Sequence, residues 1–299
     1  MSPRSTKIEH FPAIDQLLGM EVYFASELEQ ITHSFKFRAA WSVVNNINAE
    51  GFIAASSGNF GQALACACQR LGKACVIVMP TTSAQVKINA VYSYGAEIIF
   101  VDTRMQSRAD KVNEVTKGYP SFYVASAYDC EQVILGNSSL GVEIAHLEQE
   151  FDLIIAPIGG GGLAAGIIQG LRGSGDETPV WGAEPFLADD LYWSLKAQKL
   201  LKHDIEPQTL ADGARTLSVG RRNWTILKEN LINVIQVSEE KITQAVQLLW
   251  KMGLRVEPTG ALTLGGLLET EDWKGKKVLA VISGGNVDPE LFEHLIGKE

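Results

Sequence analysis

The feature that most constrains this chain is a set of short runs that are apolar at nearly every position. They lie at 74–80, 96–101, 152–157 and 277–282. A strand with one wet face alternates polar and apolar residues. A run without alternation is covered on both faces, as parallel strands are in a layered α/β sheet. Longer segments with helical patterning lie at 59–71, 84–94 and 239–252. The alternation predicts an α/β fold built on open sheets. Residues 51–126 carry a strand–helix alternation of their own. They read as a smaller lobe inserted between the two parts, 1–50 and 127–299, of a larger one.

A chain of 299 residues, 46% hydrophobic, is long and apolar enough to bury the core of more than one lobe. Its net charge of −9, with no basic run, argues against nucleic acid as a partner. Cys66 and Cys68 lie two apart in a predicted helix and so point in different directions, which disfavours a shared metal site. With Cys75 and Cys130 they read as buried thiols of a cytoplasmic protein. The start through Lys7 is polar and leads into no long apolar run, so neither a signal peptide nor a membrane span is expected.

Three segments carry chemistry. After a strand at 20–25, a helix is predicted from Phe35, with Thr32 or Ser34 as its cap. Lys36 then stands in the first helical turn, where the helix dipole disfavours a cation. A lysine bound as an imine beside a phosphate resolves that conflict; a solvated surface lysine is the plain alternative. Next, Ser56-Ser57-Gly58-Asn59 joins the strand at 53–55 to a helix from Phe60. Such a turn offers N–H groups and hydroxyls to a carboxylate or a phenolate, or is an ordinary cap. Third, Gly159, Gly160, Gly161 and Gly162 follow the strand at 154–158 and precede a helix from Leu163. Gly159, Gly161 and Ala164 also fit the G-x-G-x-x-A dinucleotide fingerprint, with Glu184 ending the next strand. Four glycines equally suit a loop wrapped around one phosphate. In this order, a lysine, an asparagine turn and a phosphate cradle suggest a site for pyridoxal phosphate (PLP). Its aldehyde needs an amine and its phosphate needs N–H donors.

With Ser283-Gly284-Gly285-Asn286 added, nearly the whole chain resembles the PLP enzymes of the tryptophan-synthase-β fold, known as fold type II. The nearest branch is that of serine/threonine dehydratases and serine racemases. The resemblance implies two lobes with open sheets, the smaller inserted in the larger, and a homodimer. It makes Lys36 the Schiff-base lysine, lays Phe35 against the ring and puts Asn59 on the cofactor's 3′ oxygen. It puts Gly159, Gly160, Gly161 and Gly162 on the phosphate and Ser283 on the pyridine nitrogen. Ser56, Ser57, Gly58 and Phe60 would line the substrate. The stretch from Glu184 to Asp190 is similar to a divalent-cation site of this branch. Glu184, the Ala188 carbonyl and Asp190 would there ligate Mg²⁺ or Ca²⁺, hard cations that suit oxygen donors. An acidic helix N-terminus is the alternative. Ala211-Asp212-Gly213 and Glu257-Pro258-Thr259-Gly260 match the branch as well.

The resemblance implies an ammonia-lyase (dehydratase) that turns serine, threonine or a related β-hydroxy amino acid into a 2-keto acid and ammonia. An amino-acid racemase on the same site is the runner-up. It needs an acid/base group on each face of a planar carbanion, and Lys36 and Ser57 would be that pair. A serine at the ring nitrogen gives a weaker electron sink than an aspartate, which suits elimination or brief carbanions. A β-replacement enzyme fits less well. Outside the class stand an NAD-dependent oxidoreductase, resting on Gly159, Gly161, Ala164 and Glu184, and a silent amino-acid-binding protein. The chain departs from the branch at His33, usually Gly, at Phe60, often His, and at 135–139, where A-G-Q-G-T is usual. These departures are expected to cluster near the substrate. Either His33 supplies a polar group lost at Phe60, or the substrate is not plain threonine. The family's early Thr-Pro-Leu is not recognisable, and no regulatory domain is expected after Asn286.

Overall fold

The structure, a computed structural model, describes residues 2–297. Its strands are β1 (Lys7–His10), β2 (Glu21–Ser26), β3 (Gly51–Ala55), β4 (Ala74–Pro80), β5 (Glu97–Val101), β6 (Phe122–Val124), β7 (Leu153–Pro157), β8 (Val180–Pro185), β9 (Leu231–Val237) and β10 (Lys277–Ile282). The helices are α1 (Pro12–Leu18), α2 (Lys36–Asn46), α3 (Asn59–Leu71), α4 (Gln85–Tyr92), α5 (Arg108–Val115), α6 (Glu131–Ala145), α7 (Gly162–Gly173), α8 (Asp190–Ala197), α9 (Arg221–Asn230), α10 (Glu239–Lys251), α11 (Pro258–Leu267) and α12 (Pro289–Leu295). The apolar runs at 74–80 and 277–282 are β4 and β10, and the helix at 59–71 is α3. The other predicted elements are present with ends moved by a residue or two, as fraying ends allow.

Two sheets form. One runs β1-β2-β10-β7-β8-β9, parallel except for the edge strand β1. The other runs β5-β4-β3-β6, parallel throughout. The unbroken apolar runs serve two faces at once. Leu153 and Ile155 enter a core shared with α10 and α11, while Ile154 and Ala156 enter another shared with α6 and α7. The smaller sheet divides likewise: Phe52 and Ala54 pack with α2 and α3, and Ile53 packs with α5. Phe37, Ala40, Val43 and Val44 of α2 belong to this second core, so it reaches outside residues 51–126. All four cysteines are free and buried. Among the described residues no helix is long and apolar enough to cross a membrane.

The expected cap of α2 is corrected. Phe35 occupies the cap position in helical conformation, with no side-chain cap bond, and the hydroxyls of Thr32 and Ser34 are buried without partners among the described residues. The turn is held instead by the exit of β10. Ser34 bridges Gly284, the Phe35 N–H donates to the Ser283 carbonyl (2.9 Å), and the Gly285 N–H donates to that of His33 (3.0 Å). Backbone pairing between distant parts of the chain thus replaces a local cap.

Candidate active site

Lys36 follows β2, Asn59 follows β3, Gly159–162 follow β7 and Ser283 follows β10. Each lies past the carboxyl end of a parallel strand, where open α/β sheets bind ligands. The four turns touch through neighbours. Phe35 is bonded to Ser283, and Asn286 is bonded to Asn59. The segment 127–128 meets Lys36 on one side and the glycine loop on the other.

Lys36 Nζ donates to the Ala127 carbonyl (2.9 Å) and lies 4.9 Å from the centre of the Phe35 ring and 6.0 Å from that of Phe60. Burial pulls its pKa from 10.5 down to about 8, against the opposing attraction of the Glu257 carboxylate. A neutral amine is the form that attacks an aldehyde, and desolvation is how a lysine becomes one near neutral pH.

Ser56 builds the asparagine turn. Its Oγ accepts from the N–H groups of Gly58 (3.3 Å) and Gly61 (3.0 Å), so it caps α3. Ser57 is half-buried beside Gly58, where an added Cβ would meet nothing within 4 Å. The space beside Gly58 is open. Phe60 is buried at the edge of the smaller sheet's core. Asn59 Nδ2 donates to Glu257 Oε1 (2.7 Å) and Oε2 (3.0 Å), and Asn59 Oδ1 accepts from Asn286 Nδ2 (2.7 Å).

The glycine loop tolerates no side chain. A Cβ on Gly159 would lie 2.8 Å from the Gly213 carbonyl oxygen, on Gly160 2.2 Å from the Tyr128 ring, and on Gly162 2.7 Å from the Tyr128 oxygen. Gly161, at φ +80°, caps α7 in a conformation that favours glycine. Asn223 Nδ2 (2.6 Å) and the Gly220 N–H (3.1 Å) bind the Gly160 carbonyl, and Asn137 Nδ2 binds that of Gly162 (2.9 Å). Protein thus takes up these carbonyls. The N–H groups of Gly159, Gly160, Gly161 and Gly162 have no acceptor among the described residues. A row of free donors at the start of a twelve-residue helix is an anion site. Ser283 completes the set: it is 1% exposed and its hydroxyl has no partner among the described residues. A desolvated amine, a phosphate cradle and an orphaned buried hydroxyl fit PLP.

Glu184 and Asp190 are buried, as is Ala188 between them. Glu184 accepts from the N–H groups of Tyr192 (2.7 Å) and Leu191 (3.3 Å), and so caps α8; Asp190 accepts from the Val219 N–H (2.8 Å). Burial, with Asp190 beside it, raises Glu184 well above the usual carboxylate range. Burial also raises Asp190 to about 7. Among the described residues no group of three or more His, Cys, Asp or Glu side chains is placed to hold a metal ion.

The departures do not cluster as expected. His33 sits at φ +54° and its exposed imidazole Nδ1 lies 3.1 Å from the Leu28 carbonyl, a local bond that satisfies the ring. Asn137 supports the glycine loop from α6, and Ser139 accepts from Arg38 (2.8 Å). Of the three departures, Phe60 is the one beside Lys36. Sequence reasoning gave no role to Glu257, Asn286, Asn137 or Asn223. The first two lie in quoted motifs; nothing local marks Asn223 as the holder of a distant carbonyl.

This fold and this site define a PLP enzyme, and the comparisons agree. A family model described as "Pyridoxal-phosphate dependent enzyme" matches residues 1–284. The chain belongs to that family, and its cofactor is PLP. It is 37% identical over 284 residues to a serine racemase of Dictyostelium discoideum, covering 92% of this chain and 87% of that one. It is 33% identical over 293 residues to the L-threo-3-hydroxyaspartate ammonia-lyase of Saccharomyces cerevisiae, covering 96% and 89%. The crystal structure of a T.th. threonine deaminase superposes with a TM-score of 0.89 at 34% identity, covering 96% and 94%. The dinucleotide reading of the glycine run falls with these findings. Glu184, fully buried and occupied by helix N–H groups, is out of reach of a ribose.

Proposed function

We propose that this chain is a PLP-dependent ammonia-lyase acting on serine, threonine or a related β-hydroxy amino acid. The observation that carries the reading is Lys36, a desolvated amine with a pKa of about 8, set among the asparagine turn, the glycine loop and Ser283. When bound, PLP supplies the electron sink that stabilises charge at the substrate α-carbon. Lys36 Nζ takes the α-proton, the β-hydroxyl leaves as water, and the released enamine hydrolyses to a 2-keto acid and ammonia. Gly159, Gly160, Gly161 and Gly162 would donate to the phosphate, Ser283 would meet the ring nitrogen, and Phe35 would lie against the ring. Asn59 would donate to the 3′ oxygen. Ser57, Gly58 and Phe60 line the substrate; Ser56 contributes by holding their turn.

A racemase is the second reading, favoured by the half-buried Ser57 on a turn facing open space. Ser57 would exchange a proton on the face opposite Lys36. Keto-acid release and chiral analysis, run in parallel on L-serine, L-threonine and L-threo-3-hydroxyaspartate, separate the two. The lyase is supported by keto acid that is lost in Lys36→Ala and kept in Ser57→Ala. Racemised substrate without keto acid refutes it and supports the second reading.

Within this proposal, Glu184, the Ala188 carbonyl and Asp190 bind Mg²⁺ or Ca²⁺. Two buried carboxyls, each raised by burial, have the chemistry a hard cation relieves. Added Mg²⁺ or Ca²⁺ is expected to raise the melting temperature of chelator-treated protein but not of Asp190→Asn; equal shifts in both remove the site. The proposal also includes the lobe division at 51–126, a homodimer and a cytoplasmic location. The first rests on the separate four-stranded sheet, the second on exposed Phe186, Leu187 and Trp193, and the third on four free cysteines.

A further inference from the structure

Glu257 is 4% exposed, yet among the described residues no cation lies at contact distance from it. Its seat is built by glycines. A Cβ on Gly284 would lie 2.7 Å from Glu257 Oε1, and one on Gly260 would lie 2.4 Å from the Gly284 carbonyl oxygen. The start of α11 and the exit of β10 therefore close around this carboxyl, whose one hydrogen-bonded side-chain partner among the described residues is Asn59.

The bonds run in one direction. At one end stands the Thr32 carbonyl, which can only accept; Asn286 Nδ2 donates to it (2.8 Å) and also to Asn59 Oδ1 (2.7 Å). Both N–H groups of Asn286 are thus used. Asn59 then turns its nitrogen to Glu257, which at the other end also accepts. The two oxygens of one carboxyl lie too close together to take both N–H groups of an amide, so they share one. The other N–H of Asn59 is left over. The amide of Asn59 is fixed from both sides.

We propose that Glu257, with Asn286, is a positioning residue that makes Asn59 a donor, and not an acceptor, toward the cofactor's 3′ oxygen. This rests on the assignment of Asn59 to that oxygen. A donor there stabilises the deprotonated oxygen and disfavours its protonated form. The charged groups facing Glu257 are Asp212, Lys87 and Lys36. Burial, then Asp212, pushes Glu257 up to about 8. The clamp survives protonation, because one carboxyl oxygen still accepts and the Thr32 end still orients Asn286.

The test is the absorption spectrum of PLP-loaded protein from pH 6 to 9 in four forms: wild type, Glu257→Ala, Asn286→Ala and Asn59→Ala. An alanine at 257 leaves Asn59 Nδ2 without its acceptor, so that side of the clamp is gone. Lysine-bound PLP absorbs at about 410 nm with its 3′ oxygen deprotonated and at about 330 nm with the proton on that oxygen. Both clamp variants are expected to move absorbance from the visible to the near-ultraviolet band by severalfold. Asn286→Ala reaches the clamp from its far end, so the inference stays open to refutation if Glu257→Ala does not fold. Spectra of the folded clamp variants that superimpose on wild type at every pH, while Asn59→Ala shifts, overturn the clamp. No shift in Asn59→Ala overturns the assignment of Asn59 on which it stands.

Discussion

Replacing Lys36 by methionine should stabilise the cofactor-free protein at neutral pH and do so in a way that depends on pH. Lys36 titrates at about 8 in the folded chain and at 10.5 unfolded. Below pH 8 both states carry the charge, and the folded state bears the full cost of burying it. The shift corresponds to about 3 kcal/mol, at about 1.4 kcal/mol per pKa unit. Methionine keeps the stem but leaves the Ala127 carbonyl without its donor, which costs about 1 kcal/mol. The net gain at pH 7 is then about 2 kcal/mol, or roughly 4 °C in melting temperature for a chain of this size. Burial pushes Glu257 up to about 8 and so disfavours its anion, which limits the charge left behind. As pH rises from 8 to 10.5, unfolded Lys36 binds more proton than folded Lys36, and the wild type gains stability relative to the variant. The advantage of methionine shrinks through this window and reverses at its top, where only the lost hydrogen bond remains. Thermal melts of the two proteins, stripped of PLP with hydroxylamine and measured from pH 6 to 10, decide the matter. A variant less stable than wild type at pH 7, or a difference that stays constant with pH, would refute the reasoning.

Further outcomes follow from the packing. Arg38 binds Glu27 through Nε (2.8 Å) and Nη2 (3.0 Å) and Glu143 through Nη1 (2.7 Å), and is itself 1% exposed. Arg38→Met strands the fully buried Glu27 and should cost about 3–5 kcal/mol in a denaturant titration; a loss under about 1 kcal/mol contradicts the network. Gly141→Ala places a Cβ 2.2 Å from the Ile167 carbonyl oxygen, so α6 and α7 must part at a cost of about 1–3 kcal/mol, read in the same titration. Gly58→Ala, in open space, should melt within about 1 °C of wild type, since surface changes rarely exceed about 0.5 kcal/mol. Ser283→Ala removes an unpaired buried hydroxyl, so the cofactor-free protein should gain about 1 kcal/mol while PLP, titrated by fluorescence, binds more weakly. Unchanged PLP affinity in that variant takes Ser283 off the ring nitrogen.

The sheets were legible because burial on both faces leaves a local trace: 153–156 is apolar throughout, and the structure sends alternate residues into two cores. The turns at Lys36, Asn59, Gly159–162 and Ser283 were legible as segments, since each sits between a readable strand and a helix. Their mutual geometry was not. Asn59 meets Glu257 across 198 positions and Asn286 across 227, and no local pattern carries such a pairing. The helix cap failed for the same reason: Ser34 and Phe35 are tied to Ser283 and Gly284, so a hydroxyl near a helix start was not used as a cap. At Glu184 spacing left a ribose and a metal both open, and burial removed the first. His33 stands where a left-handed turn usually takes glycine, and one bond to Leu28 absorbs its side chain.

The distribution of incomplete polar groups ties the fold to the chemistry. Where a buried charge serves only the fold, its partners are in place: Arg38 meets Glu27, Glu143, Thr6 and Ser139 within one network. At the ends of β2, β7 and β10 the pattern reverses. Lys36 is desolvated with a single carbonyl acceptor, the Ser283 hydroxyl is unpaired, and four glycine N–H groups lack acceptors among the described residues. Natural folds concentrate such violations at functional sites. A fold that leaves donors open there, while its buried arginine is paired on every side, is stable enough to wait for its ligand. Whatever supplies an aldehyde to Lys36, oxygens to the glycine loop and an acceptor to Ser283 removes all three defects together. It therefore binds the folded chain and not the unfolded one, and stabilises it by mass action. PLP carries those three groups on one rigid ring.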